Sequence, residues 1–327
     1  MVQSRNTAVD IAKFLAAIFV IGIHTRPLSN VSGFADFALA DILFRTAVPF
    51  FAVCTGYYIS KRIIKGQIPF IRTVSRILLL YVGWSFFYLL ILSFSWYKSG
   101  ALSYDSYIGW SKSFLIGRSY YHLWYLAQLF WALVLFIPIV RHLPEKYYVI
   151  LTVILWMLGS FDYVYSDILD IGGRFVRMYD YFGEITGSVG RMLPLLLTGN
   201  IIAGKEYHSQ KCVAMGSCLC FLGLIAEVFI LRHLGAERFS YVLFTLPLAY
   251  FLFILIKNAK VDVGFNSRLM SKSAMNIYLL HPAVLVILKE LDVTNPLILF
   301  CLCVIFTTSI CFAFTFMVSS RKTVPAR

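Results

Sequence analysis

The amino-acid sequence predicts an all-α integral membrane protein, a bundle of about ten transmembrane helices with both termini cytoplasmic. Three observations carry that prediction: the balance of apolar and charged residues, the number of long apolar runs, and the alternation of charge between the connections. Of 327 residues, 60% are hydrophobic and 14% are charged, and the mean hydropathy is +0.78. A soluble domain carries about a quarter of its residues as charges. This chain has too few to clothe a globular surface, so the bilayer is its solvent.

The apolar runs fall in order at Ala8–Arg26, Ala38–Ser60, Phe70–Trp96, Tyr121–Val140, Tyr147–Tyr165, Ser188–Gly204, Cys212–Leu231, Phe239–Ile256, Ser273–Lys289 and Pro296–Ser319. Each approaches the roughly 20 residues that cross about 30 Å of hydrocarbon. Helices are the only element that suits them, because nothing in lipid satisfies an irregular backbone. The first run lacks the cleavage pattern of a signal peptide and reads as a retained span.

The connections alternate in charge. Lys61, Arg62 and Lys65 lie between runs two and three with Arg72 at the start of run three, Arg141 and Lys146 between four and five, and Lys205 and Lys211 between six and seven. Lys257, Lys260, Arg268 and Lys272 precede run nine, and Arg321, Lys322 and Arg327 end the sequence. The intervening connections are mixed or acidic, as at Glu290–Asp292 and Asp162–Glu184. The positive-inside rule puts the basic connections and both termini on the cytoplasmic side. Two outer connections, Tyr97–Tyr120 and Ser166–Gly187, exceed a turn and form either interfacial loops or a lid and acceptor-binding surface.

The net charge of +13 is divided among short clusters with no continuous stripe, which argues against a nucleic-acid partner. The seven cysteines lie in apolar runs without ligand-like spacing, so they read as packing residues and no metal site is predicted. The paired interrupted helices of many transporters are not visible.

An ionisable residue inside a span costs several kcal/mol unless it meets a partner or a polar cavity. The first run carries Asp10, Lys13 and His24. Lys13 and His24 are eleven residues apart, three turns plus about 20°, so they share a helix face about 16 Å apart along the axis. That separation suits a coenzyme A thioester, whose anionic phosphates are joined to the acyl sulfur by an extended arm. Lys13 would hold the phosphate end, and the His24 imidazole would take a proton from an attacking hydroxyl or amine. A snorkelling lysine and an interfacial histidine would give the same pair.

Further charges widen the pattern. Arg45 precedes Ala47-Val48-Pro49-Phe50-Phe51, and Arg72 and Arg76 open run three beside Lys61 and Arg62 as a candidate phosphate cluster. Tyr121-His122-Leu123-Trp124-Tyr125 opens run four, and Tyr278-Leu279-Leu280-His281-Pro282 places a histidine mid-run in the ninth. Arg191 and Glu227 add a cation and a carboxylate, as a satisfied buried pair or as site residues.

The sequence resembles the membrane-bound acyltransferase 3 family across essentially its whole length. That family's opening signature, Arg or Lys, ten intervening residues, then His, reads here as Lys13–His24 within Asp10-Ile11-Ala12-Lys13. Arg45 through Val48-Pro49-Phe50-Phe51 to Gly56-Tyr57-Tyr58 resembles its second helix, and Asn276-Ile277-Tyr278 through His281-Pro282 its late helix. Residues 1–327 are thus read as a single transmembrane domain of this type. Tyr121–Tyr125 and Tyr278–Pro282 further resemble the N-terminal membrane region of vancomycin-resistance membrane-bound serine racemases. In those proteins a soluble racemase domain follows, and none lies within these residues.

The resemblance implies a cell-membrane transferase that moves an acyl group, acetyl first among them, from cytosolic acyl-CoA to an envelope carbohydrate or amino-acid acceptor. It implies His24 as general base with Asp10 in support, and Lys13, Arg72, Arg76, Lys61 and Arg62 on the CoA phosphates. Arg45 and His122 would serve the acceptor or the oxyanion. Trp124, Tyr125, Arg191, Glu227, Tyr278 and His281 would line the pocket. Two other functions share the fold: a module supplying or transporting L-serine, and a non-catalytic anchor.

Overall fold

With backbone polar groups obliged to pair within each segment, every regular element among the described residues is a helix. The computed structural model describes residues 6–67, 70–168, 182, 184–205, 209–262 and 267–321. The principal helices are α1 (Thr7–Thr25), α2 (Gly33–Ile64), α3 (Phe70–Ser99), α4 (Tyr104–Leu115), α5 (Trp124–His142) and α6 (Lys146–Tyr163). They continue as α7 (Glu184–Ala203), α8 (Gln210–His233), α9 (Thr245–Asn258), α10 (Ser267–Glu290) and α11 (Pro296–Arg321).

Eight of these are long and apolar enough to cross a membrane: α1, α2, α3, α5, α7, α8, α10 and α11. The other two runs fare differently. Run five folds as α6, an 18-residue helix with Lys146 at one end and Asp162 at the other. Run eight shortens to α9, whose 14 residues reach about 21 Å at 1.5 Å per residue. Its first residues, 239–244, form a non-helical connection instead. The connection expected at Tyr97–Tyr120 contains α4, which Ser103 caps by accepting from the Ser106 amide at 3.2 Å. Most of Ser166–Gly187 lies outside the described residues.

Two compact units share the chain. The first comprises Met1–Phe51, Gln210–Ala214 and Leu252–Arg327, the second Ala52–Ser209 and Met215–Phe251. In the first unit α1 packs on α10 and α11, and these two pack on each other. Small residues let the helices close. Ala17 and Ile21 meet Ala274, Ile277, Cys303 and Cys311 in a core where lipid supplies no driving force and van der Waals fit must. Polar stitches add to it, as where Ser273 Oγ donates to Thr315 Oγ1 at 3.1 Å.

In the second unit every residue of Leu193–Ala203 in α7 is buried, the signature of a helix apolar on all sides at the centre of a bundle. Glycines set its approach. A Cβ on Gly199 would fall 2.2 Å from the Val53 carbonyl oxygen, and one on Gly56 2.2 Å from that of Leu196. The second half of α2 therefore touches α7 backbone to backbone.

Candidate functional site

In the first unit α1 begins at Asn6, whose side chain accepts from the Val9 amide at 3.0 Å, and ends at Arg26 in the left-handed region at φ 48°. Asp10 is buried and accepts from Ser267 Oγ at 3.1 Å, joining the starts of α1 and α10. It is fourteen residues from His24, about 21 Å along the helix, so it does not touch that imidazole. Its closer charge on α1 is Lys13, one turn on.

His24 stacks on His281, with ring centroids 5.4 Å apart and planes 23° from parallel. Tyr278 lies 6.2 Å from the second ring. The local sequence explains how His281 is held. Pro282 has no N–H, which disturbs the hydrogen bonding of the turn before it. His281 Nδ1 fills that turn: it donates to the Tyr278 carbonyl at 2.7 Å and also reaches the Ile277 carbonyl at 3.2 Å. Carbonyl oxygens only accept, so Nδ1 carries a proton. His281 is fully buried, and the Cys303 thiol donates to its carbonyl at 3.7 Å.

A carboxylate network stands at the same end of α1. Arg26 Nε donates to Asp36 Oδ2 at 2.8 Å, and its Nη2 to Asp41 Oδ2 at 2.7 Å. Asp41 Oδ1 accepts from Arg45 Nη2 at 2.8 Å and from Arg45 Nε at 3.2 Å. Asp36 and Asp41 are both buried. Gly22 makes the approach possible, since a Cβ there would lie 2.2 Å from the Phe44 ring. Arg45, the next residue, is within electrostatic reach of His24, as is Lys289. Asp41 sits in a π-helical stretch, Phe37–Leu43. The sequence reading passed over Asp36 and Asp41, although the Asp41–Arg45 spacing of four was there to see.

The remaining candidates belong to the second unit. Arg72 and Arg76, with Ser75, Leu79 and Leu80, line an open concavity of 520 Å³ along the first turns of α3. Lys61 does not line it; its ammonium lies 5.8 Å from the centre of the Tyr57 ring, and Arg62 is exposed. His122 is buried in an aromatic cage, 4.9 Å from Tyr88, 5.6 Å from Tyr120 and 5.5 Å from Tyr121. Tyr125 is buried and hydrogen-bonded with Thr55.

Arg191 takes Glu184 as its carboxylate at 3.8 Å. The same carboxylate accepts from Gln128 Nε2 at 2.5 Å and from Arg118 Nε at 3.3 Å. The Arg191 guanidinium also stacks on Tyr163 at 4.3 Å and Tyr241 at 5.2 Å. Glu227 accepts the amides of Leu243 and Phe244 at 2.8 and 2.9 Å and the Tyr165 hydroxyl. It therefore caps the entry to α9. Glu184, Gln128 and Tyr241 were missed in the sequence, where nothing distinguishes them from connection or lining residues.

A helical bundle with several membrane-crossing helices and ionisable groups buried inside it is a polytopic membrane protein. The chain belongs to the acyltransferase 3 family: the profile of its acyltransferase domain matches residues 6–316. Among curated proteins, an amino-acid racemase of Enterococcus faecalis is 24% identical over 307 residues, covering 90% of this chain and 43% of the relative. A serine/alanine racemase of Enterococcus gallinarum is 23% identical over 293 residues, covering 85% of this chain and 40% of the relative. The chain thus spans about two-fifths of the length of the curated relatives it matches. No solved structure matches it at a significant level.

Proposed function

We propose that this chain transfers an acyl group, acetyl first among candidates, from cytosolic acyl-CoA to a hydroxyl or amine acceptor at the cell envelope. Both termini then lie in the cytoplasm of a cell-membrane protein of about ten spans, with α6 and α9 completing the count. The observation that carries the reading is the stacked imidazole pair, His24 on His281, at the end of α1 opposite Lys13. His24 takes the proton of the acceptor group as its oxygen or nitrogen attacks the thioester carbonyl. The C–S bond breaks, and the departing CoA thiolate recovers that proton from the imidazolium. Arg45, held by Asp41, serves the acceptor or the developing oxyanion, and His122 is the second candidate for that role. Lys13, with Asp10 balancing its charge, is the first unit's contact for CoA phosphate, and the Arg72–Arg76 concavity is the second unit's.

The test is release of free thiol from acetyl-CoA by the purified chain in proteoliposomes, supplied with carbohydrate and amino-acid acceptors, for wild type and His24→Ala. Turnover that His24→Ala abolishes supports the reading. A wild type that neither binds nor turns over acetyl-CoA at millimolar ligand removes it.

A second reading is favoured by the relatives, which are amino-acid racemases. On it the chain is the membrane domain of such a protein and delivers L-serine to the cytoplasmic side. Uptake of L-serine into proteoliposomes separates the two.

A further inference from the structure

Among the polar atoms of the second unit that are buried without a hydrogen-bond partner among the described residues, which include the hydroxyls of Ser60, Thr152 and Ser160, three gather in one place: Arg238 Nη1, the Tyr241 hydroxyl and Gln128 Oε1. A buried polar atom left unpaired is destabilising, so three together call for an explanation. They are close to one another through shared neighbours. The Arg238 and Arg191 guanidiniums both lie on the Tyr163 ring, at 5.3 and 4.3 Å. Tyr241 stands 6.0 Å from Tyr163 and 6.0 Å from Trp156, with Trp124 at 6.3 Å. Gln128 donates to Glu184, the carboxylate beside Arg191. Gly187 leaves room for the assembly, because a Cβ there would fall 2.0 Å from Arg191 and 2.4 Å from Gln128.

The chemistry of the unpaired atoms is specific. Arg238 Nη1 and the Tyr241 hydroxyl are donors and ask for an acceptor; beside two guanidiniums, a carboxylate answers best. The Gln128 amide is fixed by its bond to Glu184, since only its nitrogen donates to a carboxylate. Its oxygen therefore asks for a donor. Glu227 does not supply the missing anion, being committed to the entry of α9. Tyr241 also holds φ 62°, a left-handed backbone that strains a bulky residue and that collects at functional sites.

We propose that the second unit holds a seat for a small α-amino-acid zwitterion, its carboxylate on Arg238, Tyr241 and Arg191 and its ammonium toward Gln128 Oε1 and Glu184. The smallest solute that answers two orphan donors and one orphan acceptor together is an α-amino acid. The seat gives the second reading above its solute-binding site and rests on it for the choice of L-serine as first probe.

The experiment is equilibrium binding of radiolabelled L-serine to the full chain in nanodiscs. L-alanine, acetate and ethanolamine serve as competitors, and CoA binding is measured on the same preparation. Wild type should bind L-serine saturably, and L-alanine should compete at least about tenfold better than acetate or ethanolamine, which each offer one pole only. Tyr241→Phe keeps every ring contact and should weaken binding about tenfold, and Arg238→Gln about a hundredfold, with Arg238→Lys between them. Absence of saturable binding at tens of millimolar L-serine overturns the seat. So does wild-type affinity in both Tyr241→Phe and Arg238→Gln, and acetate competing as well as serine reduces the seat to an anion site and overturns the zwitterion. A chain that binds CoA but no amino acid loses this inference and keeps the transferase reading; one that binds L-serine but no CoA does the reverse.

Discussion

Removing the charge of Asp41 tests how the His24 end of α1 is held. In Asp41→Asn the side chain keeps its size, but both guanidiniums that lean on it lose their ionic acceptor. Hydrogen bonds to charged groups contribute about 1.5–3 kcal/mol each. Here the Arg26 side chain is 45% exposed and that of Arg45 28%, so water recovers much of the loss, and Asp36 still holds Arg26. Discounting the two contacts by half leaves about 2 kcal/mol. For a chain of this size that corresponds to a fall of about 4 °C in Tm, at about 2 °C per kcal/mol. Thermal unfolding of the detergent-purified protein, followed by tryptophan fluorescence, measures it. Coupling is the stricter part of the test. Arg45→Gln in the Asp41→Asn background should cost about 1 kcal/mol less than it does alone, because the two residues share one interaction. A Tm within about 1 °C of wild type, together with strictly additive single mutants, would refute the view that Asp41 organises Arg45.

Four further outcomes are expected. Gly199→Leu should destabilise the protein by more than about 3 kcal/mol, because the side chain meets the α2 backbone, whereas Gly83→Ala, with open space around it, should leave Tm nearly unchanged or slightly raised. His24→Ala should abolish acetyl transfer while CoA affinity, measured by calorimetry, stays within about threefold, since a general base acts in the transition state. Arg72→Gln and Arg76→Gln should each weaken CoA binding about tenfold, and added salt should shrink that difference. In intact cells an impermeant thiol reagent should label Ser103→Cys and spare Arg62→Cys in a chain whose native cysteines are replaced; labelling of both, or of Arg62→Cys alone, overturns the proposed orientation.

The long helices were legible because bilayer thickness fixes their length and composition, and a run such as Phe70–Trp96 admits no other reading. Runs five and eight were less so. The charged and tyrosine-rich ends of α6 and the short α9 depend on packing against neighbours, which hydropathy along the chain does not record. In the site, the Lys13–His24 spacing and the His281-Pro282 dipeptide stood out, because helix periodicity and a missing N–H are local facts. Their contacts were not legible. That His281 stacks on His24, and that its Nδ1 serves the turn before Pro282, follows from how α1 lies on α10. The carboxylates Asp41 and Glu184 are easily overlooked for a related reason. A search for cations and imidazoles inside spans passes over an acid near a helix start, where acids are ordinary.

Both overlooked networks sit where regular helix gives way to a wider turn. Asp41 lies in the π-helical stretch Phe37–Leu43, with Arg45 in the tight turn that follows, and Arg191 lies in the π-helical stretch Ser188–Met192. An extra residue in one turn rotates everything beyond it by about 100° relative to a continuous α-helix. Positions on the two sides of the wider turn are thereby set on different faces from those a continuous helix would give them. Charge makes that rotation worth its lost hydrogen-bond geometry, because a guanidinium or carboxylate left in lipid costs more than a widened turn. The irregular turn and the buried ion therefore explain each other: the turn exists where a charge must be brought inward, and the charge is tolerated because the turn delivers it to a partner. The same pairing in both units ties the candidate chemistry to the places where the helices depart from regularity. Substitutions that restore a continuous α-helix there should disturb function before they disturb the fold.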